Sequence, residues 1–203
     1  AVSPVSQPFA TPTRTAAVQG VWAGIRRTHG TAQVGKTPLF TEDLRRMLDG
    51  MDDGLLAARD RALLLLGFAG AFRRSELVAL DVVDLAFVTD GLLVTVRRGK
   101  TDQDGAGSMK AIPFGRRVQT CPVQAIRTWL NAALIEAGPV FRSVNRHGQV
   151  QPGRLSDKAV ALVVKRRAAD AGLDPDQLAG HSLRAGLATS AAIAGVNERS
   201  IMN

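Results

Sequence analysis

Residues 63–77 read LLLLGFAGAFRRSEL, an apolar run that stops abruptly at two arginines and a Ser-Glu-Leu. An uncharged stretch this long that ends in Arg73-Arg74 is too short and too interrupted by Gly67 and Gly70 to cross a bilayer, which takes roughly 20 uninterrupted apolar residues. It reads instead as the buried half of a helix over about Leu55 to Gly70, followed by a shorter helix over about Arg73 to Leu80. A helix that is apolar on every side needs neighbours on every side. The surrounding chain supplies them.

Upstream, Thr41 is placed as an N-cap, with Glu42 and Asp43 in the first turn and a stripe of Leu44, Met47, Leu48 and Met51 behind them. Downstream, the period changes. Leu92–Val96 and Met109–Ile112 read as strands around a polar, Gly-rich turn from Lys100 to Ser108, and with Leu85–Val88 they make one small antiparallel sheet. Helical spacing returns at about Pro122–Ala137, with Ile126, Trp129, Leu130 and Ala133 on one face. It recurs at about Ser156–Ala171, at Ser182–Ala194 and from Asn197 onward. The expected fold class is α+β, mainly α, with one small antiparallel sheet.

Before Thr41 the sequence has another character. Residues 1–12 are rich in Pro, Ser and Thr. Val18, Val21, Trp22 and Ile25 form one helical face, and Thr28 to Pro38 has the glycines and proline of a linker. The expected organisation is therefore a helical remnant over 1–30, a linker over 31–40 and the main domain over 41–203.

The 203 residues have 45% hydrophobic content and a mean hydropathy of +0.03, enough for a real core. One cysteine, Cys121, rules out an internal disulfide and fits a reducing cytoplasm. Three scattered histidines offer no zinc site, and neither a metal nor a cofactor is expected. The net charge of +8 is uneven: +3 over residues 1–35, zero over 36–100 and +5 over 101–203. A basic surface suits a polyanion, because each phosphate contact releases condensed counterions, and it equally suits a merely solvated face.

Three places hold cations in arrangements with chemical meaning. Arg73 and Glu76, three apart, can pair on a helix, either as a surface ion pair worth a few tenths of a kcal/mol or as a guanidinium clamped to grip a phosphate. Lys100 lies at the tip of the predicted hairpin, an ordinary polar position or one from which an ammonium reaches a leaving oxygen. In Gly180-His181-Ser182-Leu183-Arg184, an imidazole and a guanidinium stand three apart at a helix start, where backbone N–H groups also favour an anion.

The order Arg-x-x-Glu, hairpin Lys, His-x-x-Arg resembles the tyrosine recombinases, the Cre, Xer and phage-integrase family. Arg73, with Ser75-Glu76-Leu77, falls on the first motif. Lys100, in Lys-Thr-Asp-Gln, falls on the second, and His181 and Arg184 fall on the third. The resemblance covers about Thr41 to Asn203, and Val18 to Gly30 is similar to the last helix of the family's N-terminal core-binding domain. It implies a helical catalytic domain of the DNA breaking-rejoining type, acting through a 3′-phosphotyrosyl intermediate without ATP or metal. In that scheme Arg73 and Arg184 hold the phosphate, Glu76 orients Arg73, Lys100 protonates the leaving 5′-oxygen and His181 assists proton transfer. The implied partners are double-stranded DNA and further copies of the chain in a tetrameric synapse. No membrane or small-molecule substrate is implied, and the implied setting is the bacterial or phage-infected cytoplasm, at the nucleoid. Two departures are plain: the sequence has no tyrosine, and it lacks the family's further His or Trp after the third motif. It therefore reads as truncated at its C-terminus, and also at its N-terminus, where most of the core-binding domain is missing. A non-catalytic DNA-binding relative of the same fold and a type IB topoisomerase are the alternatives.

Overall fold

The structure, a computed structural model, describes Thr15 and residues 18–21, 23–24, 36–97 and 107–193. The chain forms two compact units, Ala1–Gly35 and Lys36–Asn203. In the first, residues 18–21 and 23–24 are helical and Val21 is 63% exposed, while Trp22 and Ile25 lie outside the described residues.

The second unit is built on the uncharged run. Helix α1 spans Thr41–Asp49, α2 Leu55–Ala69 and α3 Arg74–Ala79. Leu63, Leu64 and Leu66 are fully buried and Leu65 nearly so, because α4 (Pro122–Ala132) and α6 (Ser182–Ile193) both pack on α2. The α1 stripe is buried as its spacing predicts. Thr41, however, is the first helical residue and not the cap: Phe40 holds that position, without a side-chain hydrogen bond.

Strands β1 (Leu85–Val88), β2 (Gly91–Val96) and β3 (Ser108–Pro113) form an antiparallel sheet in the order β1-β2-β3, with Leu92 opposite Ile112 and Val94 opposite Lys110. The predicted hairpin tip from residue 98 to 106, including Lys100, lies outside the described residues. A second ladder, β4 (Arg142–Val144) against β5 (Val150–Arg154), adds a two-stranded sheet to the one that the sequence pattern revealed. Strands of three and five residues around a Gly148 turn are too short to display a period.

Helix α4 ends five residues before its expected limit at Ala137. Leu134 adopts φ 53°, its N–H donates to the Asn131 carbonyl, and the Ile135 N–H donates to Leu130. This Schellman reversal turns Ile135 into the core and leaves Leu134 87% exposed. Helix α5 spans Asp157–Asp170, with Ser156 as the N-cap whose hydroxyl accepts from the Ala159 N–H. Its C-terminus closes the same way, with Gly172 at φ 69°.

The helices are tied together by a buried charge. Asp60, fully buried on α2, accepts from Nε and Nη2 of Arg59 through one oxygen, and from Arg166 and Arg167 of α5 through the other. Arg59 and Arg167 are themselves buried. Removing the carboxylate leaves the buried Arg59 without its acid and Arg167 with Asp170 only, so Asp60→Ala is expected to lower the unfolding free energy by about 3–5 kcal/mol. Urea denaturation measures this. A loss below about 1 kcal/mol would mean that the arginines reach water without it.

Candidate active site

The end of α2 is where the site begins. Ala71, at φ 47°, takes the left-handed position usually given to glycine, its N–H donating to the Phe68 carbonyl while the Phe72 N–H donates to Gly67. This turn sends Phe72 into the core and releases the chain in extended conformation at Arg73. Arg73 is thus the N-cap of α3 and not a residue within it, as the i,i+3 spacing had suggested. Its backbone N–H donates to Oε2 of Glu76 at 3.0 Å and its Nη1 donates to Oε1 at 2.6 Å. Glu76 is 5% exposed and the Arg73 side chain 31%. One buried carboxylate therefore caps the helix and fixes the guanidinium, leaving the rest of the arginine fork open.

Arg184 reaches the same turn from α6. Its Nη1 donates to the Ala71 carbonyl at 2.8 Å, which places the second predicted arginine two residues from the first. The approach needs little side-chain volume where α6 crosses the core. A Cβ at Gly186 would collide with the Leu39 carbonyl, and one at Gly67 would press on Leu183 and Leu77. His181 is the exposed residue just before α6, and its carbonyl accepts from the Ala185 N–H in the first turn. The Ser182 hydroxyl accepts from the Ala179 N–H, tightening the turn into the helix. The Arg74 side chain lies over Gly180, where a Cβ would strike it, so Arg74 packs against the start of the His-x-x-Arg turn. Of the predicted residues, Arg73, Glu76 and Arg184 meet at the Ala71 turn, His181 stands at the start of the Arg184 helix, and Lys100 is outside the described residues.

A further cation belongs to this cluster and was missed. Lys110 of β3 lies over the Phe72 ring, 5.3 Å from its centroid. It titrates below an ordinary lysine, first because it is half-buried; the charges of Arg184 and Arg73 add to that fall, and Glu76 opposes it. The sequence did hold a signal. Alternation along β3 puts Lys110 on the same face as buried Ile112, an unusual place for an ammonium. Because Glu76 is, among the described residues, the group that favours the charged lysine, Glu76→Gln is expected to move the Lys110 titration lower still. NMR of the lysine side chain reads this directly, and an unmoved titration would separate the two groups electrostatically.

Comparison with known proteins points to one family. The sequence model of the phage integrase family matches residues 39–203. An integrase/recombinase xerD homolog of Selenomonas ruminantium is 44% identical over 94% of this chain and 56% of its own length. The tyrosine recombinase XerD of Xanthomonas axonopodis pv. citri is 32% identical over 82% of this chain and 55% of its own. Among solved structures, XerA recombinase superposes with a TM-score of 0.61 at 17% identity, covering 84% of this chain and 54% of that one. XerH bound to its difH substrate superposes at 0.58 and 19%, covering 88% and 52%. The chain spans about half the length of the curated relatives it matches.

Proposed function

Since this chain belongs to the phage integrase family, we propose that it carries the phosphate-activating part of a site-specific DNA recombinase. The observation that carries the reading is the convergence of Arg73, held by Glu76, and Arg184, held by Ala71, on a single turn. Two guanidinium forks anchored through part of their donors leave the remainder to hold the non-bridging oxygens of one phosphodiester and to offset the charge that grows as phosphorus becomes five-coordinate. The anchoring matters because donors already in place need no reorganisation during the reaction.

In the proposed reaction the hydroxyl of a tyrosine, a residue these 203 positions do not contain, attacks the scissile phosphorus. The tyrosyl O–P bond forms as the P–O5′ bond breaks, giving a 3′-phosphotyrosyl link and a free 5′-hydroxyl. Lys100 gives the leaving oxygen its proton, and His181 assists removal of the tyrosine proton or holds the phosphate. A 5′-hydroxyl of the partner duplex then reverses the exchange, so one ester replaces another and no bond energy is lost to hydrolysis. The roles of Arg73, Glu76, Lys100, His181 and Arg184 all belong to this reading. So do residues 1–30 as the end of a core-binding domain, residues 31–40 as its linker, of which Lys36 to Phe40 already pack with the second unit, a tetrameric synapse on two duplexes and action at the bacterial nucleoid. What supports DNA as the partner is the basic balance of the chain and the XerH relative solved on its difH substrate. Among the described residues no helix is long and apolar enough to cross a membrane.

Two measurements test the reading. Duplex DNA affinity, followed by anisotropy from about 50 to 200 mM salt, is expected to fall by orders of magnitude, and a flat response would remove the phosphate contacts on which the proposal stands. In the tyrosine-containing protein, Arg184→Lys keeps the charge and loses the planar fork. Cleavage of a suicide duplex is expected to drop by more than about tenfold with little change in affinity. Equal losses in both would make Arg184 a binding residue only.

A further inference from the structure

We propose that Lys110, on the core-facing side of β3, is a third phosphate ligand of the Arg73–Arg184 site, held in place by the Phe72 ring. The inference rests on the DNA-phosphate reading of that site. Its starting point is an imbalance of charge. Among the described residues, the charges that act on Lys110 are those of Arg73, Arg184 and one carboxylate, Glu76, and both oxygens of that carboxylate are taken by the Arg73 N–H and guanidinium. Among the described residues, no hydrogen bond or ion pair satisfies the Lys110 ammonium, whose contact with the protein is the face of Phe72. No fully buried polar side-chain atom among the described residues lacks a partner, so this amine keeps an open side. It is a three-donor group with no protein acceptor among the described residues, set beside two guanidinium groups.

A structural role fits poorly. Val94, opposite Lys110 on β2, is completely buried, and Ile112, next on the same face of β3, is 2% exposed. An apolar residue would suit this place better than an ammonium repelled by two neighbours. The linkage sign says the same. A lysine whose folded titration lies below its unfolded one costs stability at every pH below the folded value, and the cost is relieved as pH rises through it. The charged form of Lys110 is thus disfavoured by its folded surroundings, a conflict of the kind functional sites commonly tolerate. A phosphodiester between the arginines would supply the missing negative charge and accept from the open side of the amine. The Phe72 ring would restrict the long side chain to that direction.

The test follows the Lys110 side-chain titration by NMR in the full chain, with and without mixed-sequence duplex DNA at low salt. Bound phosphate should raise the Lys110 titration well beyond the general rise seen at Lys158, an exposed lysine of α5. Lys110→Met should leave thermal stability unchanged or raised, weaken DNA binding several-fold, and reduce the slope of log affinity against log salt by about one. Lys110→Arg should recover the slope. If the Arg73 and Arg184 side-chain signals move on DNA binding while Lys110 follows Lys158, the site is real and Lys110 is not part of it. If none of the three responds to DNA, the phosphate reading of the whole site fails, and this inference fails with it.

Discussion

The turn at Ala71 is the constraint on which the site depends. Helix α2 is apolar on nearly every side and must be enclosed, so its end has to leave the core sharply. It does so through a left-handed residue that is not glycine, in a conformation that costs an L-residue about 1–2 kcal/mol. Three things are set by that turn. Phe72 is driven inward, Arg73 emerges extended at a helix start, and the Ala71 carbonyl faces outward to receive Arg184. A straight continuation of α2 would have carried the Arg73 backbone N–H into the helical ladder, where Glu76 could not cap it.

Two clusters among the described residues bring several cations near a carboxylate, and their difference is instructive. At Asp60 the arginines all donate to the carboxylate, and the acid is entirely out of water. Arg167 finds a second acid in Asp170, and Arg166 keeps 44% of its side chain in solvent. That cluster is closed and cross-links α2 to α5. At Glu76 a single arginine uses both carboxylate oxygens, the second arginine is satisfied by a carbonyl, and the lysine rests on a ring. The charges at Asp60 are used up within the protein, whereas those at Glu76 are left available. Counting charges would not distinguish the two; the acceptors do.

Most of the fold was legible in the sequence because its core elements carry strong periods. The α1 stripe, the alternation of β2 and β3, and the α4 face of Ile126, Trp129 and Leu130 all bury as spaced. What was illegible lies at the ends of elements. Helix α5 closes at Gly172 and α2 at Gly70, which the sequence announces, but the left-handed residues that close α2 and α4 are Ala71 and Leu134, not glycines, and α4 ends with no glycine to mark it. For the same reason Arg73 was read onto a helix that it caps. Arg-x-x-Glu suits both arrangements, since an N-cap and its N3 residue are also three apart. In the site, the residues read from motif spacing came forward readily. Lys110 did not, because a lysine in a strand next to a polar turn passes for a solvent-facing one until its face is known.

The site is thus assembled from the ends of elements: the C-terminus of α2, the N-cap of α3, the first turn of α6 and the face of β3 beside Phe72. Each of these is fixed by backbone hydrogen bonds or core packing, so the cations cannot easily move apart to relieve their repulsion. Rigidity converts that repulsion into affinity. A flexible cluster would relax in the free protein and would have to be drawn together again, at an entropic cost, when an anion arrived. Here the unfavourable electrostatics are held in the folded state, and an anion bound among the three cations relieves them. By linkage, any group that does so stabilises the fold in proportion to its occupancy. Folding and the proposed phosphate recognition in this unit would therefore be two expressions of one charge imbalance, centred on Glu76 and the turn that presents Arg73 to it.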